Sequence, residues 1–253
     1  MLVVIVLALS CGRSKGTYRE PQTGMEFVLV PAGSFAMGSP AGEAGHRQDE
    51  VLHRVTVTRA FYLGKTEVTQ RQWAAVMGAN PSHFHDEAAP VEQVTWYEVQ
   101  QFLDRLNARG EGKFRLPTEA EWEYACRAGT KSVYSTGDVL STSDANYDGR
   151  YPLPGHAKGT YRETTTAAAS FKPNAWGLYD MHGNVWEWCA DEYCPYPASS
   201  AADPFAQCGS GLKVIRGGSW YFDAGSARSA LRYTHAPHLR GFSIGFRVVR
   251  ERE

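Results

Sequence analysis

The side chains best suited to chemistry with a partner lie near the C-terminus, in the run YFDAGSARSALRYTHAPHLRGFS from Tyr221 to Ser243. It carries Tyr221, Phe222, Tyr233, His235, His238 and Phe242, and it contains no Lys, Glu, Gln, Met or Trp. Tyr, Phe and His give large contact area with few rotatable bonds, while Ser, Gly and Asp give adaptable polar contacts, so the chemistry is that of recognition. Two short motifs frame the run, RGGSW at 216–220 and IGFRVV at 244–249.

Other reactive groups offer less. His83 and His85 form an HxH pair, but zinc needs three or four ligands, and neither HExxH nor paired CxxC spacing is present. Ser219 lies in RGGSW without the GxSxG elbow of a serine nucleophile. AGSFAMGS matches neither GxGxxG nor the P-loop.

The elements that must position these residues are legible upstream. MEFVLVPAGSFAMGS at 25–39, punctuated by Pro31, Gly33 and Gly38, predicts a strand, a turn and a second strand. In HRVTVTRAFYLGKTEVT at 53–69, Val55 and Val57 alternate with Thr56 and Thr58, a strand signal. Three helix starts share one capping logic: Thr69 with Gln72, Thr95 with Glu98, and Thr118 with Glu121. The first helix ends at Gly78 and the second, carrying Val99, Phe102, Leu103 and Leu106 at helical spacing, ends at Gly110. In the third, Trp122, Ala125 and Cys126 share a face. Beyond Thr130 the chain is rich in Gly, Ser, Thr, Asn, Pro and Tyr, and such an irregular stretch needs pinning by hydrogen bonds, disulfides or metal ions.

With 253 residues, 43% of them hydrophobic and 12% aromatic, the chain can bury a sizeable core. Twenty-six Lys and Arg face 27 Asp and Glu, so no basic field exists to draw a nucleic acid, and no nucleic-acid partner is expected. No repeat, Gly/Ser linker or charge block divides the chain, which predicts a single domain over 25–250.

RLPTEAEWEYACRAGT at 115–130, NAWGLYDMHGNVWEWCAD at 174–191 and the two C-terminal motifs closely resemble the formylglycine-generating enzyme (sulfatase-modifying factor) family. The resemblance implies an α+β, C-type-lectin-like fold with much irregular structure. In the enzymes two cysteines follow the GGS, bind copper and activate oxygen. The matching positions are Phe222 and Ala227, neither of which can supply a thiolate, so no copper is expected and no catalytic residue is assigned.

The narrower resemblance is to the variable proteins of diversity-generating retroelements, among them a Treponema surface lipoprotein. There, replacement of adenines in mostly Asn template codons cannot yield Lys, Glu, Gln, Met or Trp, the five residue types missing from 221–243. The resemblance makes 216–249 a variable ligand-binding region. The implied contacts are Tyr221, Phe222, Asp223, Gly225, Ser226, Leu231, Tyr233, Thr234, His235, His238, Leu239 and Phe242. Ala224, Ala227, Arg228, Ser229, Arg232, Pro237 and Arg240 would be the scaffold, its arginines beneath the surface. The alternative is an ordinary loop and strand of an inert paralogue.

The family often holds structural calcium around GNVWEW, and the matching positions are Asp180, Gly183, Val185 and Glu187, with Asn146 marking a second site. The other reading of Asp180 and Glu187 is structural hydrogen bonding to irregular backbone. In some family enzymes the position of Cys126 is disulfide-bonded to one that is Val248 here, which leaves Cys126 a free, buried hydrophobe. Cys194 and Cys208 could close a loop, although connectivity is not readable from sequence.

The N-terminal MLVVIVLALSC is too short to span a bilayer and resembles a bacterial lipoprotein signal over residues 1–11, with Cys11 as lipid anchor and a polar leader over 12–24. No Lys or Arg precedes the apolar run, and a buried first strand is the competing reading. The expectation is a non-catalytic lipoprotein, exported to the bacterial envelope or surface, that binds a protein or glycan. The alternatives are an oxygenase of formylglycine-generating type, or another metal-dependent enzyme, with relocated chemistry, and an assembly role with one fixed partner.

Overall fold

The computed structural model describes residues 16–197 and 199–252, so the apolar N-terminal run and Cys11 lie outside the described residues. In chain order the strands and helices are β1 (Thr17–Arg19), β2 (Glu26–Val30), β3 (Gly33–Met37), β4 (His53–Val57), β5 (Phe61–Gly64), α1 (Gln70–Met77), α2 (Trp96–Asn107), β6 (Phe114–Arg115) and α3 (Glu119–Arg127). They continue with β7 (Trp186–Glu192), β8 (Ala201–Ala202), β9 (Lys213–Arg216), a 3-10 helix (Ala224–Ala227), β10 (Tyr233–His235), β11 (Ile244–Gly245) and β12 (Val249–Arg250). Between α3 and β7 the chain is irregular, as its composition predicts.

Three sheets form. The order β1-β2-β5-β12-β6 is antiparallel throughout and joins the two ends of the domain. In β10-β9-β7-β11 only the β11·β7 pair is parallel, and in β3-β4-β8 only β4·β8. Because β1 pairs with β2, residues 17–19 belong to the domain and not to a polar leader ending at 24. No helix among the described residues is long and apolar enough to cross a membrane.

All three capping boxes are made: Thr69, Thr95 and Thr118 accept from the backbone N–H three residues on, and Gln72, Glu98 and Glu121 reach back. Gly78 closes α1 in the left-handed region at φ 87°, while α2 stops at Ala108, two residues before Gly110. Trp73 of α1 stacks on Phe102 of α2 at 5.3 Å, and Phe246 meets both rings edge-on. A second cluster packs Trp122 and Cys126 of α3 against Leu63, Val214 and Val249. Each such large apolar side chain contributes roughly 1.5–3 kcal/mol on burial, enough for three short sheets to cohere.

Among the described residues five arginines lie inside, each on a buried carboxylate: Arg127 and Arg216 on Glu123, Arg228 on Glu50, Arg232 on Glu119, and Arg247 on Glu187. A buried guanidinium is tolerable only when paired and hydrogen-bonded. Arg216, Arg228 and Arg232 also fix the course of the chain between β9 and β10, since Arg216 donates to the carbonyls of Ser229, Ala230 and Leu231.

Candidate ligand-binding surface

The surface begins where β9 leaves its sheet. Gly217 and Gly218 both have positive φ, and a Cβ on Gly218 would stand 2.9 Å from the Ala227 Cα, so only glycine fits this close approach. Ser219 follows, buried; its Oγ accepts from the Tyr221 N–H, a turn role and not a nucleophile's. Asp223 then caps the 3-10 helix by accepting from the Ser226 N–H at 2.8 Å.

From this turn the side chains separate by direction. Tyr221, Asp223, Tyr233, His238, Leu239 and Phe242 are exposed, Tyr221 by 52%, and Phe222, Gly225, Ser226, Thr234 and His235 are half-buried. Ala224, Ala227, Arg228, Ser229, Arg232 and Pro237 are buried. Two positions depart from the sequence reading. Leu231, taken as a contact, is 6% exposed and belongs to the core, because residues 227–232 are buried without interruption and the outward-inward alternation lapses there. Arg240, taken as scaffold beneath the surface, is exposed and donates to the Gln93 carbonyl and the Glu98 carboxylate.

The outward rings touch one another. Trp220, itself buried, is the hub: Phe84 meets it at 5.2 Å, Tyr221 at 5.3 Å, Phe242 at 5.6 Å and Tyr161 at 6.0 Å. Phe222 leads from Tyr221 to Trp186, on which Tyr233 stacks at 5.4 Å. His235 packs on Trp188, and burial together with the charge of His238 holds its pKa below the ordinary histidine value. The result is a continuous aromatic face on a floor of large buried side chains.

Residues outside the run contribute as well. Phe84, Arg150, Tyr151 and Tyr161 join this face from segments 60 or more residues upstream of Tyr221, and no linear motif marks them. His83 and His85 are exposed on either side of Phe84 and gather no third ligand among the described residues. Among the described residues the one cluster of three potential metal ligands is Glu192, Cys194 and Cys208, whose two sulfurs form a disulfide.

Buried thiol chemistry is closed off too. Cys126 lies 3.8 Å from His182 Nε2, but burial pushes the thiol up to about 12 and the imidazole down to about 4. His182 Nδ1 donates to the Ala227 carbonyl and Nε2 accepts from the Ser135 N–H, so a neutral ring pins the 3-10 helix from below. Reactive cysteines need an electropositive, accessible setting, and here burial outweighs the nearby charges of Arg127 and Arg216.

The calcium positions divide. Both oxygens of Glu187 are engaged by Arg247 at 2.6 Å, and Oε2 also accepts from Trp122, which takes this carboxylate out of the ligand set. Gly183 has φ 90° and a Cβ there would lie 2.3 Å from the Asn146 carbonyl, so it holds the turn, and Val185 is buried beside it. Asp180 Oδ1 and Asn146 Oδ1 are buried without hydrogen-bond partners, and so is Oε2 of Glu67, a residue the sequence did not single out. Glu67 is linked to each of the other two. Asn184 bonds both Glu67 and Asn146, and the charge of Asp180 helps burial raise the Glu67 pKa. Unpartnered buried oxygens of this kind fit a hard cation.

Residues 14–252 match the model of the sulfatase-modifying factor enzyme 1-like domain. The chain belongs to this family. Its fold is the C-type-lectin-like fold of the formylglycine-generating-enzyme type. Among solved structures it is similar to PvdO from Pseudomonas aeruginosa, at 29% identity and a TM-score of 0.79, and to Treponema denticola variable protein 1, at 27% and 0.77. Each comparison covers 93% of this chain and 98% of the other. It is 32% identical to the chaperone protein LppX of Paenibacillus barcinonensis, over 100% of this chain and 98% of LppX. It is 30% identical to the serine/threonine-protein kinase pkn1 of Chlamydia pneumoniae, of which it spans 38%.

Proposed function

We propose that this family member is a non-catalytic binding protein whose exposed aromatic face, built from residues 221–242, contacts a protein or glycan. The observation that carries the reading is the division of side chains. Exposed residues of the run can change with little effect on packing, while the buried arginines and small residues between them hold the backbone. Phe222 and Ala227 stand where the family's enzymes carry their copper-binding cysteines, which removes the chemistry of oxygen activation. Likeness to a variable protein of similar size supports diversification of the face.

The reading extends to an exported lipoprotein anchored through Cys11, and to structural calcium held by Asp180, Glu67 and Asn146. Calcium would supply positive charge to buried oxygens and rigidify the irregular segment beneath the face. It takes no part in chemistry.

A library varied at Tyr221, Tyr233, His238, Leu239 and Phe242, and at Asp223 among the capping residues Asp, Asn, Ser and Thr, tests the proposal. Members should keep the parent's thermal stability and yield binders of differing specificity. Wholesale unfolding, or binding indifferent to all six positions, would sink it. Neighbouring DNA gives an independent check: a near-copy of the 216–249 coding segment differing only at adenines, beside a reverse transcriptase gene. LppX, a relative named as a chaperone that matches the whole chain, favours a second reading with one fixed partner. Under that reading nearly every library member loses the same ligand.

A further inference from the structure

A cleft of about 440 Å³ opens between the run and a segment that lies outside it. Tyr151 and Tyr161 line it from that segment, and Tyr221, Phe222 and Asp223 line it from the run. The segment is a closed finger. The Gly159 N–H donates to the Gly149 carbonyl at 2.7 Å; a Cβ on Gly149 would lie 2.6 Å from the Gly159 carbonyl carbon, and one on Gly159 would lie 2.4 Å from the Thr142 Oγ1, so both positions take only glycine. The finger is tied to the run by main-chain bonds, Asp148 N–H to Phe222 O at 2.9 Å and Ala224 N–H to Tyr151 O at 3.1 Å. Both walls are therefore held in one arrangement.

The electrostatics of the cleft are lopsided. Arg150 is bidentate on Asp148, at 2.9 and 2.7 Å, which cancels both charges. Asp223 spends one oxygen on the Ser226 N–H, and among the described residues no cation pairs with it. Two carboxylates against one guanidinium leave one net negative charge among four aromatic rings, whose faces are also electron-rich. Arg150 already lies 4.1 Å from the Tyr161 ring centre and 5.7 Å from that of Tyr151, so a guanidinium over tyrosine is an arrangement this cleft sustains, and Tyr221 and Asp223 are the lining groups this resident cation leaves to a second one.

We infer that the cleft between Tyr151, Tyr221 and Asp223 is a subsite for a positively charged side chain, Lys or Arg, of a protein ligand. The inference rests on the recognition reading above and assigns the chemistry of one part of that surface. Tyr151, 60% exposed, is then a ligand contact contributed by the unvaried part of the chain, available whatever the run presents.

Isotope-labelled protein titrated with N-acetyl-arginine amide, with its neutral isostere N-acetyl-citrulline amide, and with choline tests the subsite by chemical-shift mapping. The arginine probe should move the resonances of Tyr151, Tyr161 and Tyr221 to Asp223. Its dissociation constant should rise roughly two- to fivefold in Asp223→Asn and in Tyr151→Ala, the range of one exposed cation–π contact. Both substitutions are at exposed positions, so the fold is retained. Equal binding of the citrulline probe, indifference to Asp223→Asn, or no shift at these residues overturns the inference, and preference for choline overturns a protein source. A failed titration beside a working library removes the subsite alone; a failed library beside a specific titration removes the diversified face alone.

Discussion

Arg228 and Glu50 close a bidentate ion pair in which neither side chain is exposed, Nη1 to Oε2 at 2.9 Å and Nη2 to Oε1 at 2.5 Å. Glu43 adds a third contact to the same guanidinium at 2.9 Å. The pair joins the loop before β4 to the middle of the run, between the 3-10 helix and β10, and so bears on the geometry of the whole face. Removing one partner strands the other charge in the interior, at a cost of about 3–5 kcal/mol. Arg228→Ala should therefore destabilise the protein by that order. His238→Ala and Leu239→Ala, at exposed positions of the same run, should stay within about 0.5 kcal/mol. Urea unfolding of the three variants decides it, and comparable losses in all three would contradict a buried frame carrying exchangeable residues.

A second support for the face is the disulfide between Cys194 and Cys208, separated by 14 residues. The Cys194 carbonyl accepts from Arg232 at 2.9 Å, and the Tyr196 ring lies 3.7 Å beneath the same guanidinium. A closed loop of this length contributes about 3 kcal/mol by restricting the unfolded chain. The double variant Cys194→Ala, Cys208→Ala should lose stability of that order and shift the resonances of β10. Unchanged melting of the variant would show that the loop is held without the sulfur bridge.

The parts of this fold that sequence reveals are those whose cause is local. Thr118 and Glu121 satisfy each other's backbone across a single turn, so their spacing suffices to place the start of α3. Asp223 caps the four-residue 3-10 helix by accepting from the N–H three positions on. Leu231 escaped the pattern because it sits where the chain dives under Arg216, a contact made with β9 and not with sequence neighbours. Glu67 and Tyr161 escaped for the same reason. Glu67 meets Asn184 from 117 residues away, and Tyr161 reaches Trp220 only through the folded finger. Which carboxylate is free to hold a cation was equally hidden, since Glu187 is spent on Arg247, 60 residues later.

Calcium should stabilise the protein measurably. If Asp180, Glu67 and Asn146 hold the ion, the melting temperature rises with calcium and falls in chelator, and at a hundredfold excess over the dissociation constant the gain is about 2.7 kcal/mol. Glu67→Gln keeps the bond from Asn184 to Oε1 and removes one charge from the site, so it should weaken the calcium effect while leaving the chelated protein folded. Identical melting in calcium and in chelator would dismiss the ion and leave the three oxygens to other donors.

Glu92 makes stability depend on pH in the sense opposite to an ordinary salt-bridged acid. Burial raises its pKa from 4.5 to about 7, only partly offset by the N–H groups of Phe84 and His83. Its Oε1 accepts from the Phe84 N–H at 2.9 Å and its Oε2 is buried without a partner. With the folded value above the unfolded one, the folded state binds more protons between the two. The contribution is then fully present below about 4.5 and is lost as pH rises to about 7. Glu92→Gln keeps an acceptor for Phe84 and removes the titration. Its advantage over the parent should be absent near pH 4.5, grow toward neutrality and level off above about 7. Because Phe84 packs on Trp220, the resonances of the Trp220 ring should follow the same titration in the parent and not in the variant. Parallel stability curves for the two proteins across this range would show that Glu92 is ionised throughout.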